Sequence, residues 1–241
     1  MRLGLFALLG IGAVAYGHNF LPPTPGQTIT NIQDISVSRA AYREISTSDQ
    51  VDVYEFTAKK GQQIYIQITI PLLDRLSGFL PEFALVYTGV EQANFNSPQL
   101  DMGKVVDPPH DVVDRIYPHA VTDETEPPLI GVAYDGSPTV VFDEPFTGTK
   151  YWTRQTLTIS APADGTYRIG VYSPGGSKGK YVLAPGTAEA FGIGDIFGII
   201  GVRYQVRIFC EQPIWPDILV ESLIVAGLIT GGVFLIMAAA R

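Results

Sequence analysis

The chain is predicted to be all-β, an antiparallel β-sandwich or jelly roll, and three observations predict it. Ile64, Ile66, Ile68 and Ile70 alternate with Gln63, Tyr65, Gln67 and Thr69. That period of two sets four isoleucines on one face of a strand, toward a core, and leaves the other face polar. Twenty-five glycines and 18 prolines occur without a fixed repeat, which marks many turns. After Thr24 no long segment carries the helical period. An apolar content of 46% excludes a mainly disordered chain. Roughly seven to nine short strands at this spacing close into two packed layers.

The elements follow in order. Leu3 to Tyr16 is an apolar run after Arg2 that ends in Ala15-Tyr16-Gly17, small residues at the −3 and −1 positions of a signal-peptidase site. Because it falls short of the ~20 residues a spanning helix needs, residues 1–17 read as a cleavable signal peptide, and cleavage makes His18 the new N-terminus. Residues 18–34 form an extended arm stiffened by Pro22, Pro23 and Pro25. The domain proper is expected over 35–185.

Gln50 to Thr57, the turn Lys59-Lys60-Gly61 and the isoleucine strand are predicted to form a hairpin. Glu82 to Thr88 and Thr139 to Phe142 are further strand candidates. A second β block runs from Tyr151 to Ala184, with Leu157 and Ile159 on one strand and Tyr167, Ile169 and Val171 on the next. Pro162-Ala163-Asp164-Gly165 and Ser173-Pro174-Gly175-Gly176 turn the chain between them.

Residues 186–217 form a juxtamembrane segment in which Phe191, Ile193, Ile196, Phe197, Ile199 and Ile200 are interleaved with glycines. It reads either as an interfacial or partner-facing piece, with Phe191, Ile193, Phe197, Ile200 and Trp215 as contacts, or as a last strand and loop covering the sandwich. Arg203 and Arg207 are available to lipid headgroups. Residues 218–240 are predicted to form one transmembrane helix. Leu223 to Ala240 holds no charge and covers roughly 27 Å as a helix, close to the hydrocarbon thickness. The signal peptide places the domain on the extracytoplasmic side of the cell membrane.

The net charge of −8 argues against nucleic acid, which needs clustered Lys and Arg. Cys210 is the single cysteine, so no intrachain disulfide forms.

Gln50-Val51-Asp52-Val53-Tyr54-Glu55-Phe56-Thr57 with Lys60-Gly61-Gln62 resembles the opening of bacterial pre-peptidase C-terminal (PPC) domains. Ala161-Pro162-Ala163-Asp164-Gly165-Thr166-Tyr167-Arg168-Ile169 with Gly179-Lys180-Tyr181-Val182-Leu183 resembles that family's closing strands. The likeness covers the two ends of 35–185 and departs in an insertion of about 90–150, longer than the family's usual connection. It implies a β-sandwich module of the kind appended to secreted enzymes, used for binding or secretion rather than catalysis.

Several common catalytic signatures are missing: no His-Glu-x-x-His, phosphate-binding glycine loop or Cys-x-x-Cys occurs. An N-terminal His18 offers copper its amine and imidazole, and His110 or His119 completes a three-nitrogen brace. The cleavage context is similar to that of secreted copper β-sandwich proteins such as lytic polysaccharide monooxygenases. From Asp101 to Glu126 seven carboxylates face Lys104 and Arg115. Asp107, Asp111 and Asp114 among them are the calcium candidates, hard oxygens on a loop kept extended and irregular by its prolines. Asp143 and Glu144 point to opposite faces of a strand and so do not act as a pair.

The function expected is that of a non-catalytic, membrane-tethered binding or assembly module. Its partners are the lipid bilayer, through the C-terminal helix, and an envelope or membrane protein. The alternative is a copper-binding carrier or oxidoreductase.

Overall fold

A computed structural model describes residues 19–22, 28–87, 95, 98–118, 128–145, 147–189 and 195–216, and separate positions from there to Met237. In chain order the strands are β1 (Asn19–Phe20), β2 (Ile29–Asn31), β3 (Arg39–Ile45), β4 (Val51–Ala58), β5 (Gln63–Pro71), β6 (Glu82–Tyr87), β7 (Gln99–Met102) and β8 (Lys104–Val106). Helix α1 (His110–Ile116) comes next, then β9 (Leu129–Ala133), β10 (Val140–Glu144), β11 (Thr149–Ser160), β12 (Gly165–Tyr172), β13 (Gly179–Pro185) and α2 (Asp195–Phe209).

Two sheets result. One has seven strands in the order β1-β3-β13-β5-β11-β10, with β7 also on β11; the other has six, β2-β4-β12-β6-β9-β8. Pairing is antiparallel except for β1 with β3 and β2 with β4. The N-terminal arm, expected to be separate from the domain, therefore supplies an outer strand to each sheet among the described residues.

The isoleucine reading holds. Ile64, Ile66, Ile68 and Ile70 are fully buried between the sheets with Tyr54, Phe56, Phe83, Leu85, Tyr167 and Ile169. Burial of one such side chain stabilises the fold by about 1.5–3 kcal/mol.

The hairpin reading does not hold. β4 belongs to the six-stranded sheet and β5 to the seven-stranded one, and β11, β12 and β13 alternate in the same way. These turns are arches that carry the chain across the core. Two of them stack: Gly61 N donates to Ala161 O and Ala161 N to Gln62 O, both at 2.8 Å, and Lys60 N donates to Asp164 Oδ1 at 2.7 Å. Arch and hairpin demand the same turn residues, so those residues mark the corner but not the sheet the next strand joins. β10 and β11 do form a hairpin.

The insertion is not simply irregular. It contributes β7 and β10 to one sheet, β8 and β9 to the other, and α1. Val112 and Ile116, one helical turn apart, pack α1 on the outer face of the six-stranded sheet with Val53, Ala84, Val86 and Tyr172. Ile116 fills the place a side chain at position 170 would take: a Cβ added to Gly170 lies 2.3 Å from it. Arg168 closes the helix end, donating from Nη1 to Ile116 O at 3.1 Å while pairing with Glu55 at 2.7 Å.

Candidate docking surface

Helix α2 does for the seven-stranded sheet what α1 does for the other. Val202, Val206 and Phe209 recur at helical spacing and bring Val206 and Cys210 against Ala40, Tyr42, Tyr151 and Val182. Phe209 meets the Tyr42 ring edge-on at 5.3 Å. Of the two readings of residues 186–217, the one in which the segment covers the sandwich fits this half, with a helix in place of a strand.

Beneath α2 lies a chain of polar groups. Glu144, buried at the end of β10, accepts from Thr147 N at 2.7 Å and from the Thr147 hydroxyl. Thr147 Oγ1 is 2.6 Å from Thr149 Oγ1, Thr149 donates to Tyr151 Oη at 2.9 Å, and the Cys210 thiol donates to the same Oη at 3.2 Å. Burial pushes the Cys210 thiol up to about 11, partly opposed by its bonds to Tyr151 and Thr149. The Tyr151 phenol is raised for the same reason. A buried thiol so far above neutral pH is a packing group and a weak nucleophile. Asp143, pointing the other way, pairs with Lys150 at 3.1 Å.

An ionic latch closes the end of α2. Glu211 has φ of 56°, the left-handed conformation that terminates a helix and usually falls to glycine. Gln212 N returns to Arg207 O at 2.8 Å and Glu211 N to Ile208 O at 3.0 Å. The conformation costs a non-glycine residue about 1–2 kcal/mol, and the carboxylate offsets it: Lys180 lies 2.8 Å away and Arg75 is also bound. These two cations hold the Glu211 carboxyl below its usual range. Arg207 Nη1 donates to Thr147 O at 2.9 Å and Nη2 to Pro213 O at 2.8 Å. Its guanidinium, expected at lipid headgroups, thus ties the β10–β11 turn to the chain leaving α2.

Beyond this latch the described positions from Trp215 to Met237 are helical and carry exposed apolar side chains: Trp215, Ile218, Leu219, Leu223 and Met237. Val140, Val141 and Phe142 on β10 are exposed as well. Phe142 stacks on Tyr151 at 6.4 Å, and Tyr151 contacts Cys210, so this strand lies on the side where the C-terminal segment departs. Among the described residues no helix is long and apolar enough to cross a membrane; most of 218–240 lies outside them.

Of the expected contacts, Trp215 is two-thirds exposed. Phe197 and Ile200 lie on α2, and Phe191 and Ile193 fall outside the described residues. Of the copper candidates, His110 opens α1 and is exposed, while His18 and His119 fall outside. Asp107, Asp111 and Asp114 are exposed around α1, and among the described residues no three carboxylate, imidazole or thiolate groups gather as a metal site. The calcium candidates are therefore not brought together: Asp111 is 3.8 Å from Arg115, which also reaches Asp49 at 3.9 Å. These three line a pocket of about 160 Å³ between α1 and the Ser48 and Ser173 turns.

The helical stripe of Val202, Val206 and Phe209 was available in the sequence, and the glycines preceding it hid it. The Lys180–Glu211–Arg75 latch joins residues far apart in the chain, and no local signal announces it.

No protein-family model matches the chain, and no curated protein matches it. Among solved structures it is similar to CorA, a surface-associated copper-binding protein of Methylomicrobium album BG8, at 11% identity and a TM-score of 0.33. The match covers 66% of this chain and 99% of that one. A likeness this slight carries no argument about fold or function.

Proposed function

We propose that the chain is a non-catalytic binding or assembly module, a PPC-like sandwich tethered to the cell membrane by its C-terminal segment on the extracytoplasmic side. On this reading residues 1–17 are removed as a signal peptide and 218–240 span the bilayer. One observation carries it: Trp215, Ile218, Leu219 and Leu223 follow directly on a latched helix and are exposed. Four large apolar side chains on successive helical turns need a lipid or protein environment. The latch adds support, since a tail anchored through Arg207, Glu211 and Lys180 holds the sandwich at a set distance from whatever the tail enters. Val140, Val141 and Phe142 then form the surface nearest the bilayer, available to a membrane or envelope protein.

Fractionation of the full chain expressed in a bacterial envelope tests this. It is expected in the membrane fraction, resistant to alkaline carbonate and released by detergent. Recovery in the soluble fraction overturns the tether. After mild detergent extraction, crosslinking is expected to capture a neighbouring protein, and a chain that crosslinks to nothing overturns the docking role.

A further inference from the structure

Over the stretch that pairs with β5, strand β11 has one residue more than its partner. Thr153 pairs with Thr69 and Gln155 with Ile68, so Arg154 is the extra residue of a β-bulge. Bulges re-aim side chains and are common beside functional sites. The other edge of β11 is interrupted at the same place. β10 pairs with it from Thr149 to Thr153 and β7 from Thr156 to Thr158. Among the described residues, Arg154 and Gln155 therefore occupy a notch between two edge strands.

The side chains in the notch are unusual. Arg154 is 5% exposed, and among the described residues it pairs with no carboxylate. Nη1 donates to Thr139 Oγ1 at 3.0 Å and Nη2 to Ser77 O at 2.7 Å. Nε is buried without a partner, as is Oε1 of the adjoining Gln155. The rings of Trp152 and Tyr134 each lie 5.1 Å from the guanidinium carbon and frame it from two elements. Burial lowers the Arg154 pKa from its ordinary value, yet a guanidinium stays protonated. A buried cation held by neutral groups alone is costly. This chain has an excess of eight negative charges, and among the described residues none is spent here, although Asp135 adjoins Tyr134 and turns instead to Ser137 N.

We propose that the notch binds a small oxyanion, phosphate or carboxylate, with Arg154 as its charged anchor. Thr139 and Ser77 aim the guanidinium, Trp152 and Tyr134 exclude water from it, and the bound oxygen takes the place of the missing counter-ion. The segment 134–139, which joins the two sheets over the notch and exposes Asp135, Gly136 and Pro138, is the cover a ligand passes. The site is independent of the membrane tether and stands or falls separately.

The test is thermal unfolding of the full chain in detergent, titrated with inorganic phosphate or acetate at constant ionic strength, with chloride as control. One of the two oxyanions is expected to raise Tm saturably, and which one does so identifies the ligand class. Arg154→Met is expected to abolish the rise, and Arg154→Lys to weaken apparent affinity about tenfold because the ammonium lacks the planar fork. Should Arg154→Met fail to fold, Thr139→Val keeps the charge and loses one aiming bond, and a several-fold weakening is expected. No saturable rise in the unaltered chain overturns the proposal. So does an equal rise in Arg154→Met, or in Arg154→Lys and Thr139→Val together.

Discussion

Helices α1 and α2 each cover the outer face of one sheet through buried apolar side chains, and they differ in what else holds them. α1 is seven residues long and sits by shape: Ile116 enters the space left by Gly170, and Arg168 caps its end. α2 has fifteen residues and adds to its apolar seat of Val206 and Cys210 a set of charges and hydrogen bonds, through Arg207, Lys180, Glu211 and the buried path from Glu144 to Cys210. A shape-held element is part of the core and fails with it. A latch of half-exposed ions can open while the sandwich stays closed, which suits the element that carries the tail. The comparison teaches that the two outer faces are covered in different ways, one by close packing and one by packing with an ionic latch added.

The largest expected effect breaks the α1 side. Gly170→Val puts atoms where Ile116 already lies and should cost about 3 kcal/mol in denaturant unfolding of the full chain, with all probes moving together. Adding Ile116→Ala should recover part of that loss. A Gly170→Val protein of unchanged stability would show that α1 is not seated as described.

Val206→Asp should separate the two helices more sharply. It places a carboxylate at a position 1% exposed under α2, so α2 is expected to undock while the sandwich remains folded. Cys210 then reports the event, since alkylation should accelerate about a hundredfold, as for a local opening made easier by ~3 kcal/mol, with little change in global unfolding. If Cys210 reacts only as the whole protein unfolds, α2 belongs to the core and the contrast fails.

The smallest effect is with pH. Glu211 is held below its ordinary pKa of 4.5 by Lys180 and Arg75. The docked helix therefore binds fewer protons there than the undocked one. The latch contribution is complete above the ordinary carboxylate range and is lost as pH falls through the lowered value. Hydrogen exchange at the α2 amides, corrected for intrinsic rate, should show protection falling with acid in that window, and Glu211→Gln should flatten the dependence.

The sequence showed some of this for physical reasons that can be named. Period-two isoleucines identify a buried strand whatever its neighbours, because alternation is a property of one chain segment. The opposed faces of Asp143 and Glu144 followed from the same rule. α1 was hidden because three apolar residues among carboxylates and prolines are too few to declare a helix; the sheet beneath supplies what propensity does not. The Arg154 notch was hidden because a bulge is defined only against a partner strand, here β5.

By itself, the sequence determined that the chain makes a two-layered β protein, where the corners fall, and which segments are apolar enough to need cover. Tertiary structure decided that the corners are arches, that α2 caps a sheet through a latch, and that Arg154 is buried with no carboxylate paired to it among the described residues. These depend on which strands become neighbours, and that choice is made by the packing of the whole core, with residues more than a hundred positions apart, such as Arg75 and Glu211, meeting only after it is complete.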